Sequence, residues 1–197
     1  NMGTLGFMAD IEQNELEVRL EQLCAGDYHI EWRRFLAGYI TKPDRAEHFL
    51  GHAINDIVVM KGDPARIISL GLTVNETPLV ECKADGFIVA TPTGSTAYAL
   101  SAGGPIMNPM VKGLVLTPIC PHTLNIRPLV IREEDVVHIH LVDTRQSIIV
   151  TLDGQETTKI HPDDVITVKC SDVRAGIIKF EDKDYYRILR TKLWKNC

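Results

Sequence analysis

The sequence contains no uninterrupted apolar run of the ~20 residues needed to cross a bilayer, and no charged start followed by an apolar stretch of the kind that directs export. Neither an anchored nor a secreted chain is expected, and the expected location is the cytoplasm. Close cysteine pairs are also missing. Cys24, Cys82, Cys120, Cys170 and Cys197 are odd in number and scattered, which excludes a disulfide framework or a zinc site of ordinary spacing and reads as reduced thiols. Positive charge is in deficit, with 21 Lys and Arg against 26 Asp and Glu for a net charge of −5. Proteins that bind nucleic acids or anionic membranes draw much of their affinity from Lys and Arg set against phosphates, so neither is an expected partner. Any phosphate on a ligand must be met by local positive charge or by a metal. Finally, no Gly-Lys-Ser/Thr follows a glycine-rich turn, which excludes a P-loop.

What is present is an ordinary globular composition, 45% hydrophobic and 24% charged, enough at this length for one main core. The opening, Asn1 to Phe7, has glycines and small residues in the manner of a chain interior, so an upstream region is expected. From Glu12 to Leu23 the residues Leu16, Leu20 and Leu23 share one helical face, and Gly26-Asp27 stops the pattern, which predicts an amphipathic helix. Beyond it the period becomes two. Strands are expected in 28–40, 55–60, 65–74, 79–82, 113–118, 135–142, 146–152 and 164–169, with a last one at 177–180 and a terminal helix at 184–193. Many short strands with few helices between them predict a mainly β, α+β fold of two packed sheets. Residues 28–180 form the expected β-sandwich domain, 1–27 a remnant of a preceding α/β domain with its connecting helix, and 181–197 a helical tail.

The chemistry concentrates between Asp85 and Pro105. The apolar run Gly86 to Ala90 leads straight into Thr91-Pro92-Thr93-Gly94-Ser95-Thr96-Ala97-Tyr98, where four hydroxyls and a glycine can wrap around a polar ligand. A short helix is expected from Ser95, with Thr93 or Ser95 near its N-cap, amides free to meet an oxygen-rich group, and Gly103-Gly104-Pro105 at its end. Taken alone, the string reads equally as a Ser/Thr-rich turn. Asn55-Asp56 places a carboxamide and a carboxylate at a strand entrance, a pattern that by itself marks a turn cap more often than a site. His122 stands between two prolines with Arg127 just after, and is either structural or placed to meet a phosphate. His138 and His140 alternate along a strand without a third ligand nearby, which favours a solvent face over a metal site.

In this order the motifs resemble one family closely, the NAD kinases. The matching pieces are Leu5-Gly6-Phe7, Asn55-Asp56, the long string from Asp85 to Tyr98, Ser101-Ala102-Gly103-Gly104-Pro105, Pro121-His122-Thr123-Leu124, Arg127-Pro128-Leu129 and Asp153-Gly154-Gln155. The resemblance implies the C-terminal, β-sandwich-like domain of an enzyme that phosphorylates the 2′-hydroxyl of the adenosine ribose of NAD to give NADP. It implies ATP or polyphosphate as donor, Mg²⁺ or another divalent metal, and a homodimer or homotetramer. By matching position Phe7, Asn55, Asp56, Asp85, Thr93, Thr96, Ala97, Tyr98 and Ser101 would surround NAD, with Gly94, Ser95, His122, Arg127 and Gln155 in support.

Two departures stand out. The family's Asn-Glu pair is Asn55-Asp56 here, so the carboxylate reaches less far. The family's Gly-Gly-Asp-Gly segment, which binds the donor's phosphates and activates the attacking hydroxyl, is absent. No catalytic or metal-binding residue is therefore assigned within this chain, which alone is expected to be inactive. The alternative to an enzyme is a non-catalytic module that senses NAD or NADP. Lipid and sphingoid kinases share the two-domain plan but not the Thr-Pro-Thr-Gly-Ser-Thr-Ala-Tyr string.

Overall fold

The computed structural model describes residues 11–63, 66–123, 125–143, 147–182 and 184–194. Among them are twelve strands: β1 His29–Thr41, β2 Glu47–Ala53, β3 Asp56–Lys61, β4 Ile68–Val74, β5 Thr77–Ala84, β6 Gly86–Ala90, β7 Gly113–Ile119, β8 Leu129–Arg132, β9 Val137–Leu141, β10 Ile148–Leu152, β11 Glu156–Ile160 and β12 Val165–Lys179. Three α-helices accompany them, α1 Leu16–Ala25, α2 Tyr98–Ser101 and α3 Tyr185–Lys192. The chain divides into two compact units, one of residues 34–174 and one of residues 1–33 with 175–197.

The larger unit holds most of two six-stranded sheets, ordered β2-β1-β12-β9-β4-β5 and β11-β10-β3-β6-β7-β8. Leu36, Ile139, Ile166 and Leu70 from the first sheet and Ile57, Val89, Leu116 and Val150 from the second share one core. The expected sandwich is borne out. Strands β9 and β10 each alternate buried and half-buried residues, the signature of a strand with one covered face. Strands β6 and β7 do not alternate, and all of their residues are buried. The reason is a second, smaller core on the outer side of that sheet, where Val58, Ile88, Ala90 and Val115 pack against Ala99 and Met107. A segment containing α2 is thus pinned onto the outer face of β3, β6 and β7. That covering places the site.

Three strands were not expected: β2, β8 and β11. Each is the edge of its sheet. An edge strand packs on one flank only, so its sequence carries exposed charged and polar residues and loses the period-two signal. The two expected runs at 164–169 and 177–180 prove to be parts of one strand, β12, which continues from one unit into the other. His138 and His140 are half-buried rather than on an open solvent face. His138 Nδ1 lies 2.9 Å from Thr167 Oγ1, and the His140 ring covers Gly71, where a Cβ would stand 2.4 Å from Nε2.

In the smaller unit, α1 forms as predicted and ends at Gly26 in the left-handed region, φ +82. Its burial is not the expected one. Leu16, Leu20 and Leu23 are exposed, and the buried residue is Arg19. The guanidinium donates to both Asp182 oxygens, at 2.8 and 2.6 Å, and lies 4.8 Å from the centre of the Phe180 ring, so a charge-assisted bidentate pair and a cation–π contact displace the leucines from the inner face. The terminal helix, α3, is capped by Asp184, which accepts from the Arg187 amide, and buries Ile188 and Leu189.

Candidate functional site

The site begins where β3 and β6 run side by side. Asp56 stands opposite Ala90, and Met60 opposite Gly86, so the start of β3 and the end of β6 meet at one end of the pair. Thr91 joins them. Its amide donates to the Asn55 carbonyl at 2.9 Å, its hydroxyl donates to the Ile54 carbonyl at 2.6 Å, and its Oγ1 accepts from the Gly94 amide at 3.0 Å. Gly94 passes so close to the β3 entrance that a Cβ would fall 1.9 Å from the Asn55 oxygen. Only glycine fits there.

The chain then makes a single 3-10 turn, Gly94–Thr96, before α2. This corrects the expected helix start. Thr93 takes the N-cap position of this turn, as expected, but neither Thr93 nor Ser95 caps with its side chain, and the early amides are taken within the loop: Ser95 by Thr91, Thr96 by Thr93 and Ala97 by Gly94. They do not form an open cradle for phosphate. The expected end is borne out, with Gly103 at φ +86 and Gly104 donating to the Ala99 carbonyl at 2.8 Å. Ser95 ties the segment down, because its fully buried hydroxyl donates to the Pro92 carbonyl at 2.6 Å and accepts from the Met107 amide at 2.9 Å. Ser95→Ala removes both of these side-chain hydrogen bonds from the second core. It should lower stability by about 2 kcal/mol, read as a shifted urea midpoint at unchanged slope.

Asp56 is 4% exposed and accepts a hydrogen bond from the Tyr98 backbone amide. Burial, and next the negative charge of Asp153, raise its pKa to about 6. The shorter side chain at this position therefore reaches the loop, where its partner is a main-chain amide. Tyr98 is exposed, and its phenol is held above its ordinary pKa by burial and then by Cys120, Asp85 and Asp56. The Thr96 hydroxyl donates to the Thr93 carbonyl at 3.1 Å.

The structure brings Asn55, Asp56, Thr93, Gly94, Ser95, Thr96, Ala97 and Tyr98 together at this end, and Ser101 is the exposed last residue of α2. Asp85 is not beside them. It precedes β6 at the opposite end of the pair, about 16 Å away at ~3.3 Å per residue, and bonds Lys61 Nζ at 2.7 Å. The Tyr98 side chain lies between the two ends, within electrostatic reach of both carboxylates. His122 belongs to the Asp85 end, its amide donating to the Lys83 carbonyl at 2.9 Å. Arg127 lies on the connection between β7 and β8, where its guanidinium donates to the Ile126 carbonyl at 3.0 Å. Gln155 is exposed in the β10–β11 turn. Phe7 lies outside the described residues.

One residue was overlooked. Asp153 bonds the three successive amides of Ile54, Asn55 and Asp56. Its sequence signals are the Asp-Gly pair, which marks a turn and not a clamp, and its place in the matching piece Asp153-Gly154-Gln155, to which only Gln155 was given a role. Among the described residues no three His, Cys, Asp or Glu side chains group as a metal cage, and no helix is long and apolar enough to cross a membrane. A groove of about 800 Å³ lies in the smaller unit and is lined by Glu15, Asp27, Glu181 and Asp182 as well as Arg19, a charge balance unsuited to phosphates.

Comparison with known proteins gives a consistent result. Residues 54–180 match the model of the ATP-NAD kinase C-terminal domain. The chain is 42% identical over 193 residues to an NAD kinase of Caldanaerobacter subterraneus, covering 98% of this chain and 68% of that one. An NAD kinase of Geobacter metallireducens is 41% identical with the same coverage. Among solved structures, yeast NADH kinase complexed with NADH superimposes with a TM-score of 0.90 at 27% identity, over 99% of this chain and 59% of that one. An Archaeoglobus fulgidus NAD kinase in complex with ATP gives 0.80 at 30% identity, over 100% and 73%. This chain thus spans about two thirds of its bacterial relatives and less of the yeast enzyme.

Proposed function

Because this chain belongs to the NAD kinase family, a family of phosphotransferases, we propose that it is the dinucleotide-recognising part of an enzyme that phosphorylates the 2′-hydroxyl of the adenosine ribose of NAD. The observation that carries this reading is the pairing of a buried carboxylate at the entrance of β3 with an exposed aromatic ring at the start of α2, whose backbone bonds that carboxylate. Asp56 offers acceptor oxygens for ribose hydroxyls, and Tyr98 offers a face to a base. Asn55, Thr93, Thr96 and Ala97 complete this end, with Ser101 at the last residue of α2. Asp85, about a strand's length away, is placed for the far half of an extended dinucleotide.

Phosphoryl transfer depends chiefly on positioning and on electrostatic stabilisation. The connection of Thr91 and Gly94 to the entrance of β3, with Ser95 tied to Pro92 and Met107, supplies the positioning. ATP is the proposed donor, supported by the relative solved with ATP. A divalent metal belongs to the same proposal. Mg²⁺ characteristically binds through phosphates and one or two carboxylates, and the residues of this chain are assigned no ligating role. The proposed setting is a cytoplasmic homo-oligomer, in which Tyr98 and Ala97 can serve a neighbour's site, and the proposed division of the chain remains 1–27, 28–180 and 181–197.

The intact protein should form NADP from NAD, ATP and Mg²⁺. NAD binding without turnover by the intact protein would instead favour the non-catalytic sensing module. Tyr98→Ala should weaken NAD binding roughly 5- to 150-fold, the equivalent of about 1–3 kcal/mol for loss of a stacked base, while Tyr98→Phe retains most of the affinity. Equal affinity for Tyr98→Ala and the unaltered chain, measured by calorimetry, would refute the stacking role.

A further inference from the structure

The side chain of Asp153 plays no part in the reading just given, yet it is the most connected carboxylate at the site. Its Oδ2 accepts from the Ile54 amide at 2.8 Å, and its Oδ1 from the amides of Asn55 and Asp56 at 2.8 and 3.0 Å. Its own amide donates to the Asp56 carbonyl at 3.0 Å. Amides in such a break between strands have no ladder partner, and leaving them unpaired costs more than making the bond gains. Asp153 reaches all three from a left-handed conformation, φ +49, which Asp tolerates better than most residues. From the clamped segment the links continue outward. The carbonyls of Ile54 and Asn55 hold Thr91, and Thr91 holds Gly94.

We propose that Asp153 is a positioning residue for dinucleotide recognition: its carboxylate fixes the conformation of Ile54 to Asp56 and, through Thr91, that of the loop from Gly94 to Tyr98. The proposal rests on the reading of Asp56 as a ligand acceptor. Asp153 also acts on Asp56 by charge. Among the described residues, the titratable groups that face Asp56 are Asp153, from the β10–β11 turn, and Tyr98, from α2. After burial, the negative charge of Asp153 is the main reason that Asp56 holds its proton so firmly. The titration of Asp56 therefore reports the charge contact, and NAD affinity reports the positioning.

Asp153→Asn separates these roles. It removes the charge and presents an NH₂ group to amides that need an acceptor. In the full chain, NAD affinity at pH 8 should fall at least tenfold, and the Asp56 titration, followed by carboxyl NMR without ligand, should move down by roughly half a pH unit or more. Should that variant fail to fold, Asp153→Ser, whose hydroxyl accepts from an amide and carries no charge, is judged on the same two measurements. A folded variant with unchanged NAD affinity overturns the proposal, whether or not the titration moves. A normal chain that binds no NAD, together with a shifted titration in the variant, upholds the clamp and overturns instead the function assigned to Asp56.

Discussion

Gly94→Ala is expected to abolish NAD binding at any practical concentration, a loss of at least about a hundredfold, and to destabilise the chain by roughly 3 kcal/mol or more. The added methyl would lie 1.9 Å from the Asn55 carbonyl oxygen, 2.4 Å from its carbon and 2.6 Å from its Cα. All three are main-chain atoms, so no side chain can swing aside. Relief requires the loop to withdraw by about an ångström from β3, which breaks the bond from the Gly94 amide to Thr91 and loosens Thr91 from Ile54 and Asn55. The same movement takes Tyr98 away from Asp56, and binding geometry is sensitive to displacements of this size. Gly103→Ala is the control. Its φ of +86 makes any side chain strained, but nothing lies within 4 Å of the added methyl, so a cost of about 1 kcal/mol is expected with little change in affinity. Calorimetry with NAD and urea unfolding of the two variants decide the matter. Binding by Gly94→Ala within threefold of the unaltered chain would show that the loop does not depend on this close approach.

The fold was legible wherever a single physical pattern controlled a segment. Strands β9 and β10 alternate because one face is covered, and β6 and β7 read as continuous apolar runs because both faces are. The edge strands β2, β8 and β11 escaped because they answer to only one neighbour. Arg19 escaped for a different reason: a helical wheel assigns burial by polarity, and the acids of Asp182 and Glu15 that make its burial tolerable lie elsewhere in the chain or on the same face. At the site, the chemistry of Asp56, Gly94 and Tyr98 was visible as residue types in a motif. Their arrangement was not. That Asp85 sits at the far end of β6 follows from the antiparallel register of β3 and β6, and that Asp153 grips three amides follows from the β10–β3 pairing. Both are products of strand order, which adjacent residues do not encode.

Asp56 should make stability and affinity respond to pH in opposite directions. Its pKa is raised to about 6 in the folded chain, first by burial and then by Asp153, whereas the unfolded value is roughly 4. Between these two values the folded state retains a proton that the unfolded chain has released. Stability contributed by this group therefore falls as pH rises through that window, and the penalty is complete above it, reaching at most about 3 kcal/mol. Ligand binding runs the other way, because the ionised carboxylate is the stronger acceptor for a ribose hydroxyl. NAD affinity should rise as pH increases through about 6. Asp56→Asn, of nearly the same shape and without charge, isolates both effects. At pH 7.5 the variant should be the more stable chain, with the advantage shrinking toward zero at pH 4, and its NAD affinity should be at least tenfold weaker and flat across the same range. Urea unfolding of the two chains at a series of pH values gives the difference directly. Parallel stability curves would mean that Asp56 titrates no differently in the folded and unfolded states, and a pH-independent affinity in the unaltered chain would remove its carboxylate from the ligand. The opposed trends have a common origin: the entrance of β3 keeps a buried charge that destabilises the resting fold, and in the proposed function the same charge, once a hydroxyl donates to it, holds the substrate.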